Sequence, residues 1–167
     1  IKLKDLYSQK FNILIAPGNH DIGSGENKYS REIFSKFFKD LDSYPFASNS
    51  SYFNFVIENS NNNMNMDEVK LFELIDSFDK SSRSKTILFR HHIPIKELKY
   101  LSNRRKLKGI PTFRNLERKI KNHDLIIISG DGGAFDYLQR IGCLQFNSIK
   151  YIVNGIGDVD GDRIIII

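Results

Sequence analysis

The sequence predicts a layered α/β domain. Three observations carry that prediction. Apolar runs at 11–16, 85–89 and 124–129 have the length and continuity of buried strands. Segments at 28–42 and 68–78 instead repeat their apolar residues at helical spacing. Short strands then crowd the C-terminal end, near 143–147, 149–154 and 163–167. Strands that alternate with helices and finish in a strand-rich end indicate layers of helix on sheet.

Taken in order, residues 2–9 suit the end of a helix and 11–16 a buried strand. Residues 17–27 hold three glycines among polar residues and read as a loop. Ile33, Phe34, Phe37, Phe38 and Leu41 then place an amphipathic helix over 28–42, its phenylalanines turned to the core. Alternation over 51–58 puts Phe53, Phe55 and Ile57 on one face of a half-buried strand, followed by a polar loop over 59–65. Asn65 with Glu68 forms a capping-box pattern ahead of a helix carrying Val69, Phe72, Ile75 and Phe78. Residues 96–123 are basic and largely helical, interrupted at Gly109-Ile-Pro111, and 43–50 and 96–112 read as loops. No internal repeat and no linker divides residues 1–167, so a single domain is expected.

Composition narrows the classes. A hydrophobic content of 40% in 167 residues supports a real core, and 27% charged residues argue against wholesale disorder. The net charge of +5 suits anionic partners, but an excess of this size is ordinary solvation, and nucleic acid is not the expected partner. A single cysteine, Cys143, rules out an internal disulfide, and its neighbours offer nothing to activate it as a nucleophile. No apolar stretch approaches the roughly 20 residues of a membrane span.

The chemistry concentrates in three loops, each following an apolar run. They are Gly18-Asn19-His20-Asp21, Arg90-His91-His92-Ile93-Pro94 and Gly130-Asp131-Gly132-Gly133. In an open α/β sheet, loops at the carboxyl ends of strands converge on one crevice. An amide oxygen, imidazoles and carboxylates gathered there are the donors that divalent-metal chemistry on phosphoesters uses. Other polar groups read as structure. His123 suits the surface, and Arg104, Arg105, Lys106 and Lys108 suit a solvated helix face. Asp158-Val-Asp160-Gly-Asp162 lacks the glycine and closing acid of a calcium loop.

Gly18-Asn19-His20-Asp21 resembles the Gly-Asn-His-Asp/Glu block of the calcineurin-like metallophosphoesterases, and His91-His92-Ile93-Pro94 resembles that family's later histidine block. The resemblance runs through most of the chain in order and spacing. It implies a layered α/β/β/α sandwich and two divalent ions (Mn, Fe, Zn or Mg). It also implies hydrolysis of a phosphorylated substrate by a metal-activated hydroxide. Asn19 would ligate metal through its side-chain oxygen. His20 would assist the leaving group, with Asp21 orienting it. One of His91 and His92 would be a ligand; register to Pro94 favours His92, with His91 as the alternative.

Two departures accompany the resemblance. The family's Asp-x-His and Gly-Asp-x-x-Asp blocks lie upstream of Gly-Asn-His-Asp, and neither occurs in residues 1–16. The expectation is a longer protein whose N-terminal βαβ part carries them. The family's final Gly-His-x-His is here Gly130-Asp131-Gly132-Gly133, so Asp131 stands in place of the first histidine and glycine in place of the second. A carboxylate still coordinates a hard divalent ion; glycine does not. The alternative implied is a catalytically impaired module of the same fold that binds a phosphate ligand or a protein partner.

Overall fold

Four strands run parallel and side by side, and this arrangement brings His91 and Gly130 to one edge. The computed structural model describes residues 13–23, 28–61, 68–78, 85–91, 124–130, 141–146 and 149–154. A short helix α1 (Asn19–Ile22) is followed by α2 (Lys28–Phe37) and a 3-10 turn (Leu41–Ser43). Then come β1 (Phe46–Asn49), β2 (Phe53–Ile57), α3 (Glu68–Ser77), β3 (Lys85–Arg90), β4 (Leu125–Ser129), β5 (Ile141–Phe146) and β6 (Ile149–Asn154). They form one six-stranded sheet in the order β1-β2-β3-β4-β6-β5. The central strands β2, β3, β4 and β6 are mutually parallel, and β1 and β5 close the edges antiparallel. This is a mixed-sheet α/β fold. Among the described residues, no helix is long and apolar enough to cross a membrane.

The apolar runs become central strands because both of their faces are covered. Ile87, Leu88, Leu125, Ile127 and Ile128 are all buried, as continuous apolar runs in a parallel sheet require. β2 is buried more fully than a half-buried strand would be. Asn54, Val56 and Glu58 are enclosed, and Phe53 and Phe55 on the opposite face are only partly covered. Its pairing on both sides, to β1 and β3, makes it an interior strand. Phe55 stacks on Phe89 of β3 at 6.1 Å between ring centres.

Three expectations change on this frame. The sequence reads as a buried strand over 11–16, but residues 13–18 lie outside every ladder. Ile13 and Leu14 are exposed (45% and 39%), and only Ile15 and Ala16 reach the core. The edge of the sheet beside β2 is formed by β1, in a stretch expected to be a loop. The Ile15 carbonyl accepts instead from the Tyr44 hydroxyl at 2.8 Å. The second change is in α2, which ends at Phe37, short of residue 42; Ile33 and Phe38 face solvent, Phe34 is the buried residue of the helix, and Leu41 is buried from the 3-10 turn. Asp40 then starts the 3-10 turn by accepting from the Asp42 N–H at 3.1 Å. The third change lies in the strand boundaries: β5 starts two residues earlier than expected, at Ile141, whereas β6 matches its expected span. Expected elements over 2–9, 96–123 and 163–167, and the Asn65 cap, fall outside the described residues.

One core layer is formed by Ile22, Phe34, Leu41, Tyr44 and Ile57, so α1 and α2 pack on the Ile57 face of the sheet. Burial raises the pKa of Tyr44 from 10.0 to about 12. The neutral phenol is therefore favoured in the folded chain. Its contribution to stability is complete below pH 10 and disappears as pH rises through about 12. Urea unfolding should accordingly weaken more steeply between pH 10 and 12 in the natural chain than in Tyr44→Phe. At pH 8 the same substitution should destabilise by about 1 kcal/mol, the worth of the bond to Ile15. Parallel pH profiles for the two chains would remove Tyr44 from this account.

Candidate functional site

The carboxyl ends of β2, β3, β4 and β6 share one edge of the sheet because those strands are parallel. Hydrogen bonding carries the strands slightly past their formal ends. The Glu58 N–H donates to the Phe89 carbonyl at 2.9 Å, and the Gly130 N–H donates to the His91 carbonyl at 3.1 Å. His91 and Gly130 are thereby held side by side where β3 and β4 stop. Side chains alternate along β3, so His91 continues the Ile87 and Phe89 face and Arg90 the Thr86 and Leu88 face.

The Gly18–Asp21 turn reaches the same edge. The Gly18 carbonyl accepts from the N–H groups of Asp21 (3.0 Å) and Ile22 (3.2 Å), which winds the single turn of α1. Asp21 closes that turn, because its Oδ2 accepts from the Gly18 N–H at 2.8 Å. This is one half of a capping box. At the far end Gly23 takes φ 79° and ψ 155°, a conformation that side chains with a Cβ essentially never adopt. Ile22 is buried against Ile57 and anchors the turn to the sheet.

Asn19 and His91 meet here across 72 residues of sequence, with His91 Nε2 2.9 Å from Asn19 Oδ1. A carboxamide oxygen only accepts, so Nε2 carries the proton and donates. Both residues are half-buried. Gly18 makes the approach feasible. A Cβ at that position would stand 3.1 Å from Asp21 Oδ2 and 3.1 Å from both Cε1 and Nδ1 of His91. The imidazole and the carboxylate thus occupy the space a side chain would fill. Gly18 itself has φ −94°, so close approach and not backbone strain is what favours glycine here.

The fit of this pair to a divalent ion is geometric. Donors at about 2.0–2.2 Å from one ion and at right angles about it lie about 3 Å from each other. The Asn19–His91 separation of 2.9 Å has that value. An oxygen and an imidazole nitrogen suit Mn, Fe or Zn, and the oxygen suits Mg. The two uses of the same atoms exclude each other: ligation at Nε2 requires that the proton now bonding Asn19 leave that nitrogen, which in a neutral ring is a shift to the Nδ1–H tautomer. Among the described residues no three His, Cys, Asp or Glu side chains gather as a ready metal cluster.

The remaining sequence-derived candidates divide as follows. His20 lies in α1, but its side chain falls outside the described residues, as do all of His92 and Asp131. In sequence, His92 directly follows His91 and Asp131 directly follows Gly130. Asp21 is in place, with its Oδ2 turned to the Gly18 backbone. Two groups near the edge were not singled out from sequence. Arg90 and Glu58, 2% and 5% exposed, form an ion pair at 3.6 Å (Nε to Oε2) on the sheet face opposite His91. On that face Ser129 and Tyr151 add a buried hydroxyl pair at 3.3 Å. The signal was a charged residue continuing a fully buried alternation, Asn54-Val56-Glu58 and Thr86-Leu88-Arg90. The second group is Asn59 and Asn61, whose signal was two amides spaced for a turn directly after a strand.

Two clefts lie elsewhere. One, between α2 and the 3-10 turn, mixes Lys28 and Arg31 with Glu32, Asp40 and Asp42. The other is apolar, lined by Ile13, Leu14, Phe38 and Phe46. Neither is lined by Asn19 or His91. No protein-family model, curated protein or solved structure matches the chain.

Gly18→Ala tests the geometry directly. Its backbone angles suit alanine, so the fold should survive, with His91 and Asp21 displaced by a few tenths of an ångström. In imidazole NMR spectra the His91 Nε2–H bond to Asn19 should weaken. An unchanged His91 signal in Gly18→Ala would show that the ring does not lie against residue 18.

Proposed function

We propose that this chain belongs to a metal-dependent phosphoesterase of the calcineurin-like kind. On this reading the six-stranded sheet is part of that family's α/β/β/α sandwich. The supporting observation is the meeting of Asn19 Oδ1 and His91 Nε2 at 2.9 Å, on the carboxyl edge of parallel strands. Two residues distant in sequence and matching two blocks of one family are brought to ligand spacing.

Divalent ions held there would neutralise phosphate charge and make a nucleophile available at neutral pH. The chain's own residues do the rest. Asn19 and His91 present oxygen and nitrogen donors, and His92 and Asp131, which follow His91 and Gly130 in sequence, are the further candidate donors. His20, in the turn that Asp21 closes, protonates the departing alcohol, a general-acid role worth about 10²–10⁴-fold. Asp21 contributes by holding the turn through Gly18, and so places His20 and Asn19 together. The substrate is a phosphorylated molecule. A second reading keeps the fold and the binding of phosphate or a protein partner but not turnover. It rests on Gly133, a glycine where the family has a histidine ligand.

The test is hydrolysis of an aryl phosphate by the intact chain with added Mn²⁺. Asn19→Ala and His91→Ala should each lower Mn²⁺ affinity by about tenfold or more. His20→Ala should leave Mn²⁺ affinity in place and reduce kcat by about 10²–10⁴-fold. Mn²⁺ binding should also weaken as pH falls, because it competes with the proton on His91. Turnover that persists under chelation would end the phosphoesterase reading, and Mn²⁺ and phosphate binding without turnover would establish the second one.

A further inference from the structure

The Gly18–Asp21 turn is tied to the sheet by a second contact. Asn61, four residues past the end of β2, donates from Nδ2 to the Pro17 carbonyl at 2.9 Å, across 44 residues of sequence. Pro17 and Gly18 are both buried, and Pro17 precedes the turn directly. The Asn61 carboxamide is itself oriented. Asn59 Oδ1 accepts from the Asn61 backbone N–H at 3.2 Å and from Asn61 Nδ2 at 3.3 Å. An Asx turn at the end of β2 therefore aims the amide at the carbonyl next to Gly18. The other amide atom, Asn61 Oδ1, is buried without a hydrogen-bond partner among the described residues. The donor end of this side chain is thus the end that makes its described contacts.

Consider what fixes Asn19 relative to His91. His91 is set by the ladder between β3 and β4. The turn bearing Asn19 belongs to no ladder, and Ile22 anchors only its far end. The Asn61 bond anchors its near end. β2, from which Asn61 extends, pairs directly with β3, from which His91 extends. Beside the Tyr44 bond to Ile15, the Asn61 donor ties Pro17, the residue directly before the turn, to the end of β2 and so to His91.

We propose that Asn61 is a positioning residue: it holds the Pro17–Asn19 backbone so that the Asn19 carboxamide oxygen stands within ligand spacing of the His91 imidazole. Its functional meaning rests on the metal-site reading of Asn19 and His91. Its structural content does not, since the Asn19–His91 bond involves protein atoms alone.

The experiment uses the intact chain, labelled with ¹⁵N, and Mn²⁺ alone as the probe. Asn61→Leu removes the amide donors with little change in volume. In the metal-free protein, the His91 Nε2–H signal should lose its protection from exchange with water. Mn²⁺ affinity should fall by about tenfold, the range seen when outer-shell partners of metal ligands are removed. Urea unfolding measured alongside gives the folded fraction, and both effects should persist in the fully folded population, which a merely structural loss would not produce. If the leucine variant does not fold, Asn61→Ala is read in the same way. A folded variant with natural His91 exchange and natural Mn²⁺ affinity would overturn the proposal. Should the natural chain bind no Mn²⁺ while Asn61→Leu still alters the His91 signal, the positioning role would stand and the metal reading would fall.

Discussion

The parallel hydrogen bonding of β2, β3, β4 and β6 is the constraint on which everything else depends. A parallel sheet orders not only strands but strand ends: whatever follows each carboxyl terminus emerges at the same edge. Residues 59–61, His91 and Gly130 are neighbours for that reason alone. The sheet also explains why the loop before α1 can dispense with a ladder. Its carbonyls are taken up by side chains rooted near or on the sheet, Tyr44 for Ile15 and Asn61 for Pro17. A backbone segment satisfied in this way can be placed at an angle no strand would permit.

The two faces of the sheet carry different physics at this edge. On one, His91 lies half-open against Gly18 and Asn19. On the other, Glu58 and Arg90 are enclosed. Burying an ion pair removes both charges from water, and their attraction offsets that only in part; removing one partner of such a pair is what destabilises strongly, by about 3–5 kcal/mol. The pair joins the last residue of β3 to the residue following β2. It therefore stiffens the same two strand ends that present His91 and Asn61. The face carrying His91 is half-open, and the reverse face is enclosed.

The elements that local pattern could reveal are those whose burial is continuous or periodic. The runs in β3 and β4 are apolar throughout because both faces are covered, and α3 repeats every three to four residues. β1 was illegible: four residues, Phe46–Asn49, with mixed polarity and exposed alternate positions. Its hairpin turn at Ser50–Tyr52 was the available signal, since the Ser50 hydroxyl accepts from the Phe53 N–H. Ile13 and Leu14 misled in the opposite direction. Their apolar character reads as a buried strand, yet β1 holds the ladder position beside β2.

By itself, the sequence determined which residue types are available and in what local setting: an α/β alternation, and amide, imidazole and carboxylate groups in loops after apolar runs. Glycine at 18, extended and without a side chain, was also written there. Tertiary structure decided which of those groups meet. It placed His91 on Asn19, turned the Asp21 carboxylate to the Gly18 backbone, and gave Asn61 a role that no motif marks. The physical reason is that strand order and register are set by long-range hydrogen bonding and two-sided burial. Local sequence can specify a strand, but it does not specify the neighbour beside which that strand ends.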